Sequence, residues 1–158
     1  MGLATGEAVL GTIGSTVSKS FTVIGDTVNL ASRLEGVNKV YGTQIIIAED
    51  TLRLAQQEVE TRELDLITVV GKSEPVRIYE LLGQAGQVAS TEIELAREFE
   101  NGLAAYRARE WEAAEALFHH CLEMKPADGP SAVYIERIAE LRNQPPADSD
   151  GVWRVTKK

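Results

Sequence analysis

Asn29 and Arg33 are the side chains in this sequence whose types and spacing best suit chemistry. An amide and a guanidinium four positions apart on a helix lie one above the other on the same stripe, so both can reach one ligand. A guanidinium is always charged and offers forked donors that fit the oxygens of an anion. On spacing alone, a surface Arg paired with a carboxylate is the simpler account of Arg33. Gly6, Gly11 and Gly14 would let backbone pass close to a neighbour or to phosphate oxygens, and tight turns in a sheet would call for the same glycines. They form neither a Walker loop, since no Gly-Lys-Ser/Thr follows, nor the GxGxxG fingerprint of dinucleotide folds. His119-His120-Cys121 has metal-ligating types, but adjacent helical residues point about 100° apart and lack the i, i+4 arrangement that shares one ion. Two surface imidazoles beside a packed thiol is the reading the spacing favours, and Trp111 and Trp153 read as packing residues rather than base-stacking platforms.

The elements that must position these residues are legible in the spacing of apolar positions. Leu30, Ala31, Leu34 and Val37 recur at helical intervals over Asp26 to Val37, which places Asn29 and Arg33 off the buried stripe. Gly25-Asp26-Thr27 supplies a turn, with Asp26 and Thr27 expected as helix caps. Gln44 to Ala48 reads as a buried strand, Glu49 to Gln57 as a short helix, Leu64 to Val70 as a strand, and Val76 to Leu81 as a half-buried strand that completes a hairpin. From about Thr91 the text turns Ala-, Glu- and Arg-rich with helical spacing, with a break near Arg109-Glu110-Trp111 and a further helix over Ser131 to Leu141.

The whole chain has 158 residues, 44% hydrophobic and 25% charged, the mix of a soluble globular protein. Its 16 Lys and Arg against 24 Asp and Glu leave a net charge of −8, which opposes binding to nucleic acid or anionic lipid. One cysteine excludes an internal disulfide and makes a cytoplasmic setting the default expectation. No run reaches the ~18 apolar residues that span a bilayer. Met1 is followed at once by apolar strand-like text, which is how a fragment would begin.

The run Phe21-Thr22-Val23-Ile24-Gly25-Asp26-Thr27-Val28-Asn29-Leu30-Ala31-Ser32-Arg33-Leu34-Glu35 resembles the signature of class III adenylyl and guanylyl cyclases. Tyr41-Gly42-Thr43 and Gly71-Lys72-Ser73-Glu74-Pro75-Val76-Arg77-Ile78-Tyr79-Glu80-Leu81 extend the resemblance over about Gly2 to Gly83. It implies the C-terminal half of a ferredoxin-like α+β catalytic domain that dimerises head to tail, with ATP bound at the interface and cyclic AMP and pyrophosphate as products. By position, Asn29 would orient the ribose and Arg33 would steady charge on the α-phosphate. Thr22 would read the base as adenine. Lys72 is the remaining cation for the triphosphate, because Val70 stands where many relatives carry Lys. The family's Mg²⁺ or Mn²⁺ ligands lie N-terminal to the matched strands, so this chain is expected to hold no metal and to need a homodimer mate or a complementary cyclase half. The chain is thus expected to be inactive alone.

Glu92 to Pro126 resembles one tetratricopeptide unit, with Gly102, Ala114, Phe118 and Pro126 at that family's offsets and Tyr106, Trp111 and Leu122 as packing residues. One such unit cannot bury a continuous core, so it is expected to pack on the cyclase part or on another chain. The expected organisation is a partial cyclase domain over 1–83, a linker over 84–91, an all-α TPR-like helical hairpin module over 92–142 and a polar tail over 143–158. The succession resembles bacterial multidomain cyclases whose parents carry sensor or membrane-anchoring segments upstream. The competing expectation is a non-catalytic scaffold whose helical tail recruits a protein partner.

Overall fold

The computed structural model describes residues 1–15, 19–55, 57–68, 75–143 and 153–154. They form a mixed α+β fold in the order β1 (Gly2–Leu3), β2 (Val9–Gly14), β3 (Lys19–Ile24), α1 (Asp26–Tyr41), β4 (Ile46–Ala48), α2 (Glu49–Ala55), β5 (Val59–Thr68), β6 (Val76–Gln84), α3 (Ser90–Arg107), α4 (Trp111–Met124), α5 (Gly129–Asn143) and β7 (Trp153–Arg154). One sheet has the order β1-β4-β6-β5-β7, with β1 parallel to β4, β7 parallel to β5, and antiparallel pairing between β4, β6 and β5. Strands β2 and β3 form a separate antiparallel ribbon.

Helix α1 buries Leu30, Leu34, Val37 and Tyr41, a 4-3-4 spacing that keeps one stripe against the core. It runs four residues past Val37, to Tyr41, and Gly42 with φ 67° closes it in the left-handed conformation that glycine adopts freely. The start differs from the sequence expectation. Gly25, not Asp26 or Thr27, is the N-cap, and no side chain caps the helix. Asp26 lies inside the first turn, where its charge meets the positive end of the helix dipole.

Strand β5 begins at Val59, five residues before the expected Leu64, because its first half is charged and does not look like a strand. Between Glu63 and Asp65 the register with β6 slips: Glu63 faces Tyr79 and Asp65 faces Ile78, leaving Leu64 as an extra residue. Such a bulge breaks the two-residue alternation. Its consequence is that Leu64 and Asp65, though adjacent, are both buried.

Helices α3 and α4 form a hairpin whose turn holds Arg109 at φ 63°. Gly102 is required there: a Cβ would stand 2.8 Å from the Phe118 ring. Phe99, Phe118 and Tyr134 pack with ring centroids 5.3, 5.7 and 4.9 Å apart. They belong to the same buried cluster as Leu30, Leu34, Ile46, Leu64 and Ile78, so the helices and the sheet share one core.

Candidate functional site

Asn29 and Arg33 stand one turn apart on α1, with Asn29 exposed and Arg33 half-buried. The Asn29 backbone N–H donates to Gly25 O at 3.1 Å, so it belongs to the first helical bonds after the β3–α1 turn. Neither side chain forms a hydrogen bond or ion pair among the described residues, and no carboxylate there pairs with Arg33. The amide and the guanidinium are therefore presented together, off the buried stripe.

The segment before β2 crosses the start of α1. A Cβ on Gly6 would overlap Thr27 Oγ1, so this glycine permits a close backbone approach. Gly11 has open space around it and carries no such demand. Thr22 lies half-buried on β3 opposite Gly11, and it shares no hydrogen bond with Asn29 or Arg33. Lys72 and Val70 lie outside the described residues.

Among the described residues no three His, Cys, Asp or Glu side chains converge to hold a metal ion. His120 Nδ1 sits 3.2 Å from Glu123 Oε2 on the helix surface, while Cys121 is buried. Among the described residues, no helix is long and apolar enough to cross a membrane.

Two buried polar networks join residues that lie far apart in the sequence. In the first, Arg62 on β5 donates to Glu80 on β6 and, through Nη1 at 2.8 Å, to Asp128 at the start of α5. Asp128 Oδ2 accepts from the Ser131 hydroxyl at 2.6 Å and backbone N–H at 3.2 Å, capping that helix. Burial opposes the Arg62 charge, but Glu80 and Asp128 outweigh it and raise its pKa. In the second, the Tyr41 hydroxyl donates to Asp65 Oδ2 at 2.6 Å, and Arg137 on α5 donates to the same oxygen at 2.7 Å. Burial first, and the Asp65 charge second, push the Tyr41 phenol well above its ordinary value. No local pattern in Thr61-Arg62-Glu63-Leu64-Asp65 signals either network, because the partners Asp128 and Arg137 lie 66 and 72 residues away. A cleft of about 400 Å³ opens beside the first network, lined by Arg62, Glu80, Glu92, Lys125 and Asp128. Neither Asn29 nor Arg33 lines it.

Residues 1–83 match the family model for the adenylate and guanylate cyclase catalytic domain. The chain is 33% identical over 144 residues to a terminal-differentiation specific adenylate cyclase of Dictyostelium discoideum, covering 89% of this chain and 7% of that protein. It is 40% identical over 91 residues to adenylate cyclase 1 of Rhizobium meliloti (strain 1021), covering 58% of this chain and 14% of that one. The solved adenylyl cyclase CyaB from P. aeruginosa aligns at 30% identity with a TM-score of 0.43, over 52% of this chain and 41% of that structure. The chain therefore spans a small fraction of the curated relatives it matches. The Dictyostelium match continues past residue 83 into the helices.

Proposed function

The chain belongs to the adenylate and guanylate cyclase catalytic-domain family, and from that premise we propose that it is the C-terminal portion of an adenylate cyclase, converting ATP to cyclic AMP and pyrophosphate only when another segment or chain completes the site. The observation that carries this reading is the unpaired, outward presentation of Asn29 and Arg33 one helical turn apart. In the reaction the ribose 3′-oxygen forms a bond to the α-phosphorus, the bond from that phosphorus to the pyrophosphate oxygen breaks, and the 3′-hydroxyl proton leaves. Asn29 holds the ribose so that the oxygen lies in line. Arg33 donates to the α-phosphoryl oxygens, where charge grows in the transition state, and fixed donors aimed at such charge typically contribute ~3–4 kcal/mol. Thr22 contacts the adenine, and Lys72 the triphosphate.

The divalent ions, Mg²⁺ or Mn²⁺, would be held by carboxylates outside this chain, and no step here is routed through them. A homodimer mate or a complementary cyclase half would bring the rest of the site. The β2–β3 ribbon supports association, since Val9, Leu10, Ile13, Phe21, Val23 and Ile24 are all exposed. Charge and hydropathy suit the cytoplasm, where ATP is available.

The test is cyclic AMP formation from ATP and Mn²⁺ by the purified chain, alone and mixed with a cyclase half that carries metal-binding carboxylates. Turnover in the mixture and none from the chain alone is the expected result. Turnover by the chain alone would overturn the claim that the site is shared, and silence of every mixture would favour a non-catalytic scaffold whose helices recruit a protein partner.

A further inference from the structure

Helix α1 is gripped at the end opposite its N-terminal turn. Tyr41, its last residue, is fully buried and donates to Asp65 on β5. Its hydroxyl accepts a second bond from Arg137 Nη2 at 2.8 Å, while Arg137 Nη1 bonds Asp65. Asp65 is itself fixed by the Leu66 N–H at 2.7 Å, and the Arg137 guanidinium stacks over the Tyr41 and Tyr134 rings at 5.5 and 4.9 Å. At the first residue of α5, a Cβ on Gly129 would overlap the Tyr41 carbonyl oxygen, so α5 abuts the end of α1 at two points. Asn38, also in the last turn, donates to Met1 O at 2.8 Å.

We propose that Arg137 is a positioning residue: acting through Asp65 and Tyr41, it makes the C-terminal helices set the tilt of α1, and with it the place of Asn29 and Arg33. The lever is long. Eight residues separate Arg33 from Tyr41, about 12 Å along the axis at ~1.5 Å per residue. A tilt of roughly 10° about Tyr41 displaces Arg33 by about 2 Å, and misplacements of ~1 Å can cost on the order of 10² in rate. The catalytic meaning of this tilt rests on the reading of Asn29 and Arg33 given above, whereas the tilt itself does not.

The geometry can be read without catalysis by double electron–electron resonance between spin labels at Ser32→Cys on α1 and Glu58→Cys before β5, both exposed positions. Cys121 is buried with its thiol pKa pushed up to about 11, so it competes poorly for the label. Arg137→Met is expected to shift or broaden the distance distribution by about 2 Å, the displacement that a tilt of roughly 10° over this lever gives. Arg137→Lys should restore part of the wild-type distribution. Tyr41→Phe, which removes one hydroxyl and keeps the ring, provides the same test should Arg137→Met not fold. Arg142→Met is the control, because it breaks the ion pairs from α5 to Glu112 and Glu115 on α4, and no hydrogen bond or ion pair of Arg142 reaches α1 among the described residues. Distributions superimposable on wild type in folded Arg137→Met or Tyr41→Phe would overturn the proposal, as would an equal shift in Arg142→Met. Failure of the cyclase assay would leave this distance result standing, so the two readings fail separately.

Discussion

The two antiparallel hairpins of this fold invert one another. In β5–β6 a charged side chain is inside: Arg62 is 2% exposed. In β2–β3 an aromatic is outside: Phe21 is 71% exposed. The first arrangement stands because every buried charge is matched, Arg62 by Glu80 and Asp128, Asp65 by Tyr41 and Arg137. A buried ion pair is only a modest source of net stability, yet breaking one by removing a partner is costly, which ties α5 to the sheet. The second arrangement leaves apolar surface on both faces of a ribbon, the sort of patch that marks an interaction site. One region matches its buried charges from within, and the other leaves its apolar side chains exposed.

That contrast is sharpest at Asp128. Asp128→Ala removes one of the two anions facing Arg62 and the cap of α5, and a loss of ~3–5 kcal/mol in urea denaturation is expected. A loss under about 1 kcal/mol would mean that the network does not bind the helices to the sheet.

A smaller, pH-dependent effect is expected at Cys121. Burial raises its thiol from 9.0 to about 11. The folded state therefore keeps the proton while the unfolded chain releases it. The resulting stabilisation is whole below pH 9.0 and is lost as pH rises toward about 11. Cys121→Ala has no thiol to titrate, so the stability gap between wild type and variant should narrow across that window, measured by denaturation at stepped pH. A constant gap would contradict the burial account.

The smallest effect on folding belongs to the ribbon. Phe21→Ser should change stability by no more than ~0.5 kcal/mol, since little packing is lost at an exposed site. Self-association measured by sedimentation should fall. A loss of several kcal/mol would erase the difference between the hairpins.

What could be read in the sequence follows the same division. The α1 stripe of Leu30, Leu34 and Val37 has clean helical spacing, and the break between α3 and α4 falls near Arg109, where the sequence suggested it. Asn29 and Arg33 were visible as a pair because two positions on one helix need only local geometry. The start of β5 was hidden, because Thr61-Arg62-Glu63 reads as surface until Asp128, 66 residues away, is brought beside it. Tyr41, Asp65 and Arg137 are likewise separated by 24 and 72 residues, and no local pattern announces that they meet. Asp26 and Thr27 have the residue types of helix caps, yet Gly25 takes the extended cap position and leaves both inside the helix.

The most direct measurement is cyclic AMP production by this chain mixed with a cyclase half bearing the metal-binding carboxylates, with and without Arg33→Ala. The account predicts a loss on the order of 10²–10³ in rate from that substitution, with the fold intact. Equal rates from the wild-type and Arg33→Ala mixtures would remove Arg33 from the site and contradict it.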